Sequence, residues 1–148
     1  VMKKSSAVIQ ISSSTLTKDL TQIMEDLIEL VEEDLWISVE DCYEENSFWI
    51  PIPPEDDWDP VGIIEIDVND DPFNRILSLV HEVGHYLLEQ DEDFPEDNHI
   101  VFTESLAWYL GYKYFKALGF EIDREEYMAE AAKSLDAYAR RINEKNNN

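Results

Sequence analysis

The chain has one cysteine, four glycines and eleven basic residues among 148. A single cysteine excludes an internal disulfide framework and suits a reducing compartment, so a cytoplasmic location is expected. Against the eleven Lys and Arg stand thirty-four Asp and Glu, a formal net charge of −23. Such a surface repels phosphate backbones, which argues against direct nucleic-acid binding. No apolar run approaches the roughly 20 residues of a membrane span, so no membrane partner is expected. Met2-Lys3-Lys4 has the basic start of a leader peptide, but Ala7-Val8-Ile9-Gln10-Ile11 is too short an apolar run to continue one. What the chain does have is 44% hydrophobic and 11% aromatic residues. That is enough for one core, and residues 1–148 read as a single domain.

The hydrophobic pattern reads as one α+β unit without repeats. Ala7–Ile11 reads as a short strand. Ser14 or Thr15 caps a helix running to about Glu33, with Leu16, Leu20, Ile23, Met24, Leu27 and Val31 as its apolar face. Leu35–Tyr43 and Phe48–Pro53 read as two strands joined by a turn at Glu44–Ser47. Pro51 and Pro53 cannot donate to a ladder, so the second strand belongs at an edge. Glu55–Pro60 is an acidic loop, and Gly62–Val68 alternates as a strand. Asp70-Asp71-Pro72 starts a helix: an acidic cap, then proline in the first turn. A further helix spans about Asn98–Leu118, with Gly119 as its C′ residue. A last one runs from Asp123 to about Asn143, and Asn146–Asn148 frays.

Two of the three histidines lie in the helix that Asp70-Asp71-Pro72 starts, as His81-Glu82-Val83-Gly84-His85. At i and i+4 both imidazoles leave one helix face a turn apart, close enough to share a metal ion. Glu82, about 100° round the helix, sits beside such an ion, where it can deprotonate a water. Ile76, Val80, Val83 and Leu87 form an apolar stripe on the opposite side. A catalytic zinc site takes three protein ligands and leaves a position open. The third histidine of the longer H-E-x-x-H-x-x-G-x-x-H pattern is missing, since position 91 is Asp91. Glu104 is the best remaining candidate. It shares a helix face with Ala107, Trp108, Gly111 and Phe115, and the small residues there, with Gly84 opposite, permit the close helix approach that short metal–ligand bonds require. Glu89, Asp91, Glu92 and Asp93 are weaker candidates.

H-E-x-x-H at 81–85, followed by Glu104-Ser105-Leu106-Ala107-Trp108, resembles the ImmA/IrrE family of zinc metallopeptidases, which pair H-E-x-x-H with a downstream E-x-x-A helix. The resemblance covers about Ile63 to Gly119. It implies zinc, one ion per chain, on His81, His85 and Glu104, with Glu82 as general base. It also implies a cytosolic protein substrate, since several members act on DNA-binding repressors. Trp108 stands where the family often has a small polar residue. The expected architecture is a small zincin-like domain: a short, mostly antiparallel sheet packed against the motif helix, with the glutamate helix closing the site. An extended peptide would bind along a sheet edge, either Gly62–Val68 or Phe48–Pro53, the prolines making the second the poorer template.

Peptide hydrolysis also calls for a donor to the oxyanion. His99, Tyr109 and Tyr112 lie near Glu104 in sequence, and Trp108 can floor the site or narrow the cleft. The acidic surface would steer a basic substrate, such as a DNA-binding regulator, toward the cleft. Two other readings remain. The chain could be an acidic, DNA-mimicking binding module with a vestigial motif, or its metal site could be structural, closed by His99 as a fourth ligand. Two histidines and a carboxylate also accept manganese or iron.

Overall fold

The computed structural model describes residues 7–43, 47–53, 59–91, 93 and 99–146. The expected turn at 44–46, the acidic loop at 54–58, Glu92 and the tail at 147–148 lie outside the described residues. The elements are β1 (Ile9–Ile11), α1 (Thr17–Leu35), β2 (Ile37–Cys42), β3 (Phe48–Pro51), β4 (Gly62–Asp67), α2 (Pro72–Glu89), α3 (Ile100–Ala117), β5 (Phe120–Ile122) and α4 (Arg124–Asn146). The fold is α+β. Among the described residues no helix is long and apolar enough to cross a membrane.

Helix α1 buries Leu20, Ile23, Met24, Leu27 and Val31. Its cap is Leu16, exposed and without a side-chain hydrogen bond. Thr15 instead accepts from Ser12 N–H in the preceding turn, which delays the helix by about a residue. Trp36 ends the helix in the left-handed region at φ 59°, so β2 begins at Ile37 rather than Leu35. Helix α2 starts as its sequence dictates: Asp71 accepts from Asn74 N–H at 2.9 Å, with Pro72 in the first turn. Ile76, Leu79, Val80 and Val83 are fully buried beneath it.

The main sheet has the order β2-β4-β3. Strand β4 is central, parallel to β2 and antiparallel to β3. A second sheet joins β1 and β5 in parallel, with Ile9 opposite Phe120 and Ile11 opposite Ile122. Two of these three pairings are parallel, which corrects the expectation of a mostly antiparallel sheet. The physical reason is burial. Ile64 and Ile66 are fully buried, and a strand so covered belongs at the centre. It therefore inserts between β2 and β3, which do not pair with each other. With both edges occupied, Gly62–Val68 cannot template a peptide. Strand β3 is at an edge, as its prolines require. The three-residue β5 was not anticipated. Gly119, at φ +94°, turns the chain from α3 into it.

Candidate metal centre

At Gly84 and Gly111, helices α2 and α3 come together backbone against backbone. A Cβ built on Gly84 would stand 1.7 Å from the Ala107 carbonyl oxygen, and one on Gly111 would stand 2.0 Å from that of Val80. Each glycine is thus pressed on the partner helix's backbone, the close approach that only glycine permits. One turn before Ala107, this crossing delivers Glu104 onto the histidine pair.

His81 Nε2 stands 3.0 Å from one Glu104 carboxylate oxygen, and His85 Nε2 stands 2.8 Å from the other. Tetrahedral coordination with bonds of about 2.0–2.1 Å separates ligand atoms by roughly 3.3 Å, so small side-chain adjustments would admit an ion. Among the described residues, His81, His85 and Glu104 form the group that could hold a metal. Glu89, Asp91 and Asp93 are not part of it. Glu89 is instead the acceptor for the Trp49 indole N–H.

Glu82 is not in the donor group but adjoins it, 3.4 Å from His81 Nδ1. It is 7% exposed and Glu104 is 5% exposed. Buried carboxylates at that level need partners, and the imidazoles supply them. Burial pulls the His81 imidazole down, but hydrogen bonds and charges from Glu104 and Glu82 outweigh it and hold the group up at about 9. Burial pushes Glu104 up, but hydrogen bonds and charges from His81 and His85 prevail and bring it down to about 2. Without a metal the three groups form a tightly paired charge cluster.

Trp108 lies flat on His81, with ring centroids 4.2 Å apart and planes 9° from parallel. It fixes the imidazole plane as a floor would. Its backbone carbonyl accepts from the Tyr127 hydroxyl.

A cavity of about 720 Å³ opens over the cluster. Helices α2 and α3 supply His81, Glu82, His85 and Trp108. Phe48 and Trp49 of the edge strand line a second side, and Lys133, Tyr138 and Arg141 of α4 line a third. His99, Tyr109 and Tyr112 do not line it. His99 is exposed and caps α3, its Nδ1 accepting from Val101 N–H at 3.2 Å. It neither joins the donor group nor closes it. Tyr112 turns to α4, 5.0 Å from the Tyr127 ring. Helical projection gave the angle of these side chains on α3 but not which neighbour each face meets.

Tyr138 and Arg141 escaped sequence reasoning. Burial raises the Tyr138 hydroxyl's pKa, with the Glu104 charge adding to it and Arg141 opposing. The Arg141 guanidinium lies over its ring at 5.0 Å. One signal was available: Ser134, Ala137, Tyr138 and Arg141 share a helix face at i, i+3, i+4 and i+7.

Scans against family models, curated proteins and solved structures found no match to this chain. The chemistry of the site therefore rests on its own geometry: two imidazoles and a carboxylate around a point, a second buried carboxylate beside it, and an open cleft above.

Proposed function

We propose that the chain is a zinc metallopeptidase with a zincin-like site, acting on a cytosolic protein. The observation that carries this reading is the position of Glu82, buried against the donor trio and lining the open cleft. A structural zinc site is closed by four protein ligands, most often including cysteine. Among the described residues there are three donors, no cysteine among them, and a cavity where a substrate can enter. Two imidazoles and a carboxylate suit zinc, which when bound would acidify a water and polarise the scissile carbonyl.

The chain's own residues then have distinct tasks. Glu82 takes the proton of the attacking water and passes it to the leaving amine. Trp108 holds the His81 ring, and Glu104 and His85 complete the ligand set. Tyr138, on the opposite wall, has a neutral hydroxyl that serves as hydrogen-bond donor to the developing oxyanion. An extended substrate segment adds to the outer edge of β3, unpaired among the described residues, where Phe48 and Trp49 line the cleft. Asp67, Asp70 and Glu89 line the same cavity. With the net charge of −23 they favour a basic segment, such as one from a DNA-binding regulator.

The test is metal content and hydrolysis together. Purified chain loaded with zinc should retain about one ion per chain, and His81→Ala should lose it. Glu82→Gln should keep the ion and lose hydrolysis of a basic protein substrate. Hydrolysis that survives in Glu82→Gln would overturn the mechanism, and wild-type protein that holds no zinc would overturn the reading altogether.

A further inference from the structure

A second cavity lies between α3 and α4, sharing Trp108 with the cleft but none of the metal-donor residues. It is a groove of about 830 Å³. Its walls are mostly apolar. Tyr109 and Met128, 54% and 56% exposed, stand along it, and Ala131 and Ala132 leave room between the helices. Its charged residues are all cations: Lys113, Lys116 and Arg124. In a chain with thirty-four acidic residues against eleven basic ones, a cavity lined by three cations and no carboxylate is a departure from the rest of the surface. Among the described residues none of the three pairs with a carboxylate. The two lysines instead rest over aromatic rings of the groove, Lys113 over Tyr109 at 5.2 Å and Lys116 over Tyr112 at 5.9 Å.

The arrangement has a direction. Tyr127 of α4 meets both Trp108 and Tyr112 of α3, at 5.3 and 5.0 Å, so the first turn of α4 lies beside the middle and second half of α3. Lys116 and Arg124 therefore lie toward one end, with the Lys113 ammonium about a turn further in over Tyr109, while Leu106, Ala132 and Leu135 line the other end. A cationic end and an apolar trough match a ligand with an anionic head and a hydrocarbon tail. From position 105 to 117 the helix advances about 18 Å. An extended chain gains about 1.2 Å per bond, so a tail of roughly fourteen carbons spans the groove.

We propose that this groove binds a free long-chain fatty acid, with its carboxylate at Lys113, Lys116 and Arg124. A monoanion fits better than an acidic helix. The net charge of −23 repels a polyanionic partner, whereas a single carboxylate answers to cations within about 8 Å. The proposal does not depend on the metal site.

The experiment is calorimetric titration of the full chain with tetradecanoate, kept below its aggregation concentration. Tetradecanol, hexanoate and anionic phospholipid vesicles serve as comparisons. Saturable binding of one tetradecanoate per chain is expected, at least tenfold weaker for the alcohol and the short acid. Lys113→Ala/Lys116→Ala/Arg124→Ala should weaken it at least tenfold. Ala132→Trp, at an exposed position that fills the trough, should abolish it without lowering the melting temperature. Absence of saturable binding, equal binding of acid and alcohol, an unchanged triple variant, or attachment to vesicles without uptake of the free acid would each overturn the proposal.

Discussion

Replacing Gly84 by alanine is the sharpest perturbation of the α2–α3 crossing. The added Cβ would stand 1.7 Å from the Ala107 carbonyl oxygen, where real Cβ contacts stay beyond 3.0 Å, so the helices must part by roughly 1.3 Å in an interior that does not compress. The obstacle is backbone, so no rotamer change relieves it. Overpacking of this kind costs about 1–3 kcal/mol, and the clash argues for the upper end. Alanine recovers about 1 kcal/mol of helix propensity. The net is about 2 kcal/mol of destabilisation, a melting temperature about 4–8 °C lower in a chain of this size. The larger effect falls on the metal. Glu104 rides on α3, and metal sites tolerate displacements of about 0.2 Å. Zinc affinity should therefore fall at least tenfold. Competition against a chromophoric chelator measures the affinity, and melting in excess chelator measures the stability separately. Gly111→Ala, whose Cβ would stand 2.0 Å from the Val80 carbonyl oxygen, should act in the same way. The double variant should be less destabilised than the sum of the two, since one separation accommodates both methyls. Wild-type zinc affinity and melting temperature in Gly84→Ala would refute the close crossing as the device that assembles the site.

Three further outcomes are expected. Glu104→Gln, which keeps the side-chain volume, should lower zinc affinity by at least about 100-fold, read by the same competition; unchanged affinity would move the third ligand elsewhere. Tyr138→Phe should leave zinc content unchanged and reduce the rate of peptide hydrolysis about 10²–10³-fold, and a wild-type rate would remove it from the mechanism. Metal-free stability should depend on pH through the charge cluster. His81, raised from 6.5 to about 9, stabilises fully below 6.5 and loses that contribution as pH rises through 9. Glu104, lowered from 4.5 to about 2, stabilises above 4.5 and loses it as pH falls through 2. Melting temperature in chelator should therefore peak between 4.5 and 6.5, while the increment from zinc grows toward alkaline pH as the imidazole proton stops competing. A metal-free melting temperature that is flat from pH 6 to 9 would contradict the pairing.

Much of the site was legible because its determinants are local. The Asp71 cap, the i, i+4 histidines and the glycines at 84 and 111 act through one helix each, and helical spacing is readable from a list of residues. Glu104 was legible because small residues flank it and announce a close partner. What could not be read is what depends on partners distant in sequence. The insertion of β4 between β2 and β3 turns on the competing burial of whole strands. Strand β5 has three residues, too few for any periodicity to register. Tyr138 reaches the cleft only because α4 folds back across α3, so its sequence distance from the motif concealed it. The same limit misassigned His99, whose imidazole is occupied by the Val101 amide.

The parallel β1–β5 pair also bears on how the chain folds. Ile9 meets Phe120 and Ile11 meets Ile122. Ile9 N–H donates to Gly119 at 2.8 Å, and Asp123 N–H donates to Ile11 at 2.7 Å. These bonds clamp the junction between α3 and α4 from a segment more than a hundred residues upstream. Closing so long a loop costs entropy before any contact returns it, whereas α2 and α3 are neighbours in sequence and meet early. The metal-binding half should therefore assemble first, and the N-terminal strand should dock late and fix the angle at which α4 leaves. Pulse-labelled hydrogen exchange during refolding should protect amides of α2 and α3 before those of residues 9–11 and 120–122; simultaneous protection would contradict that order.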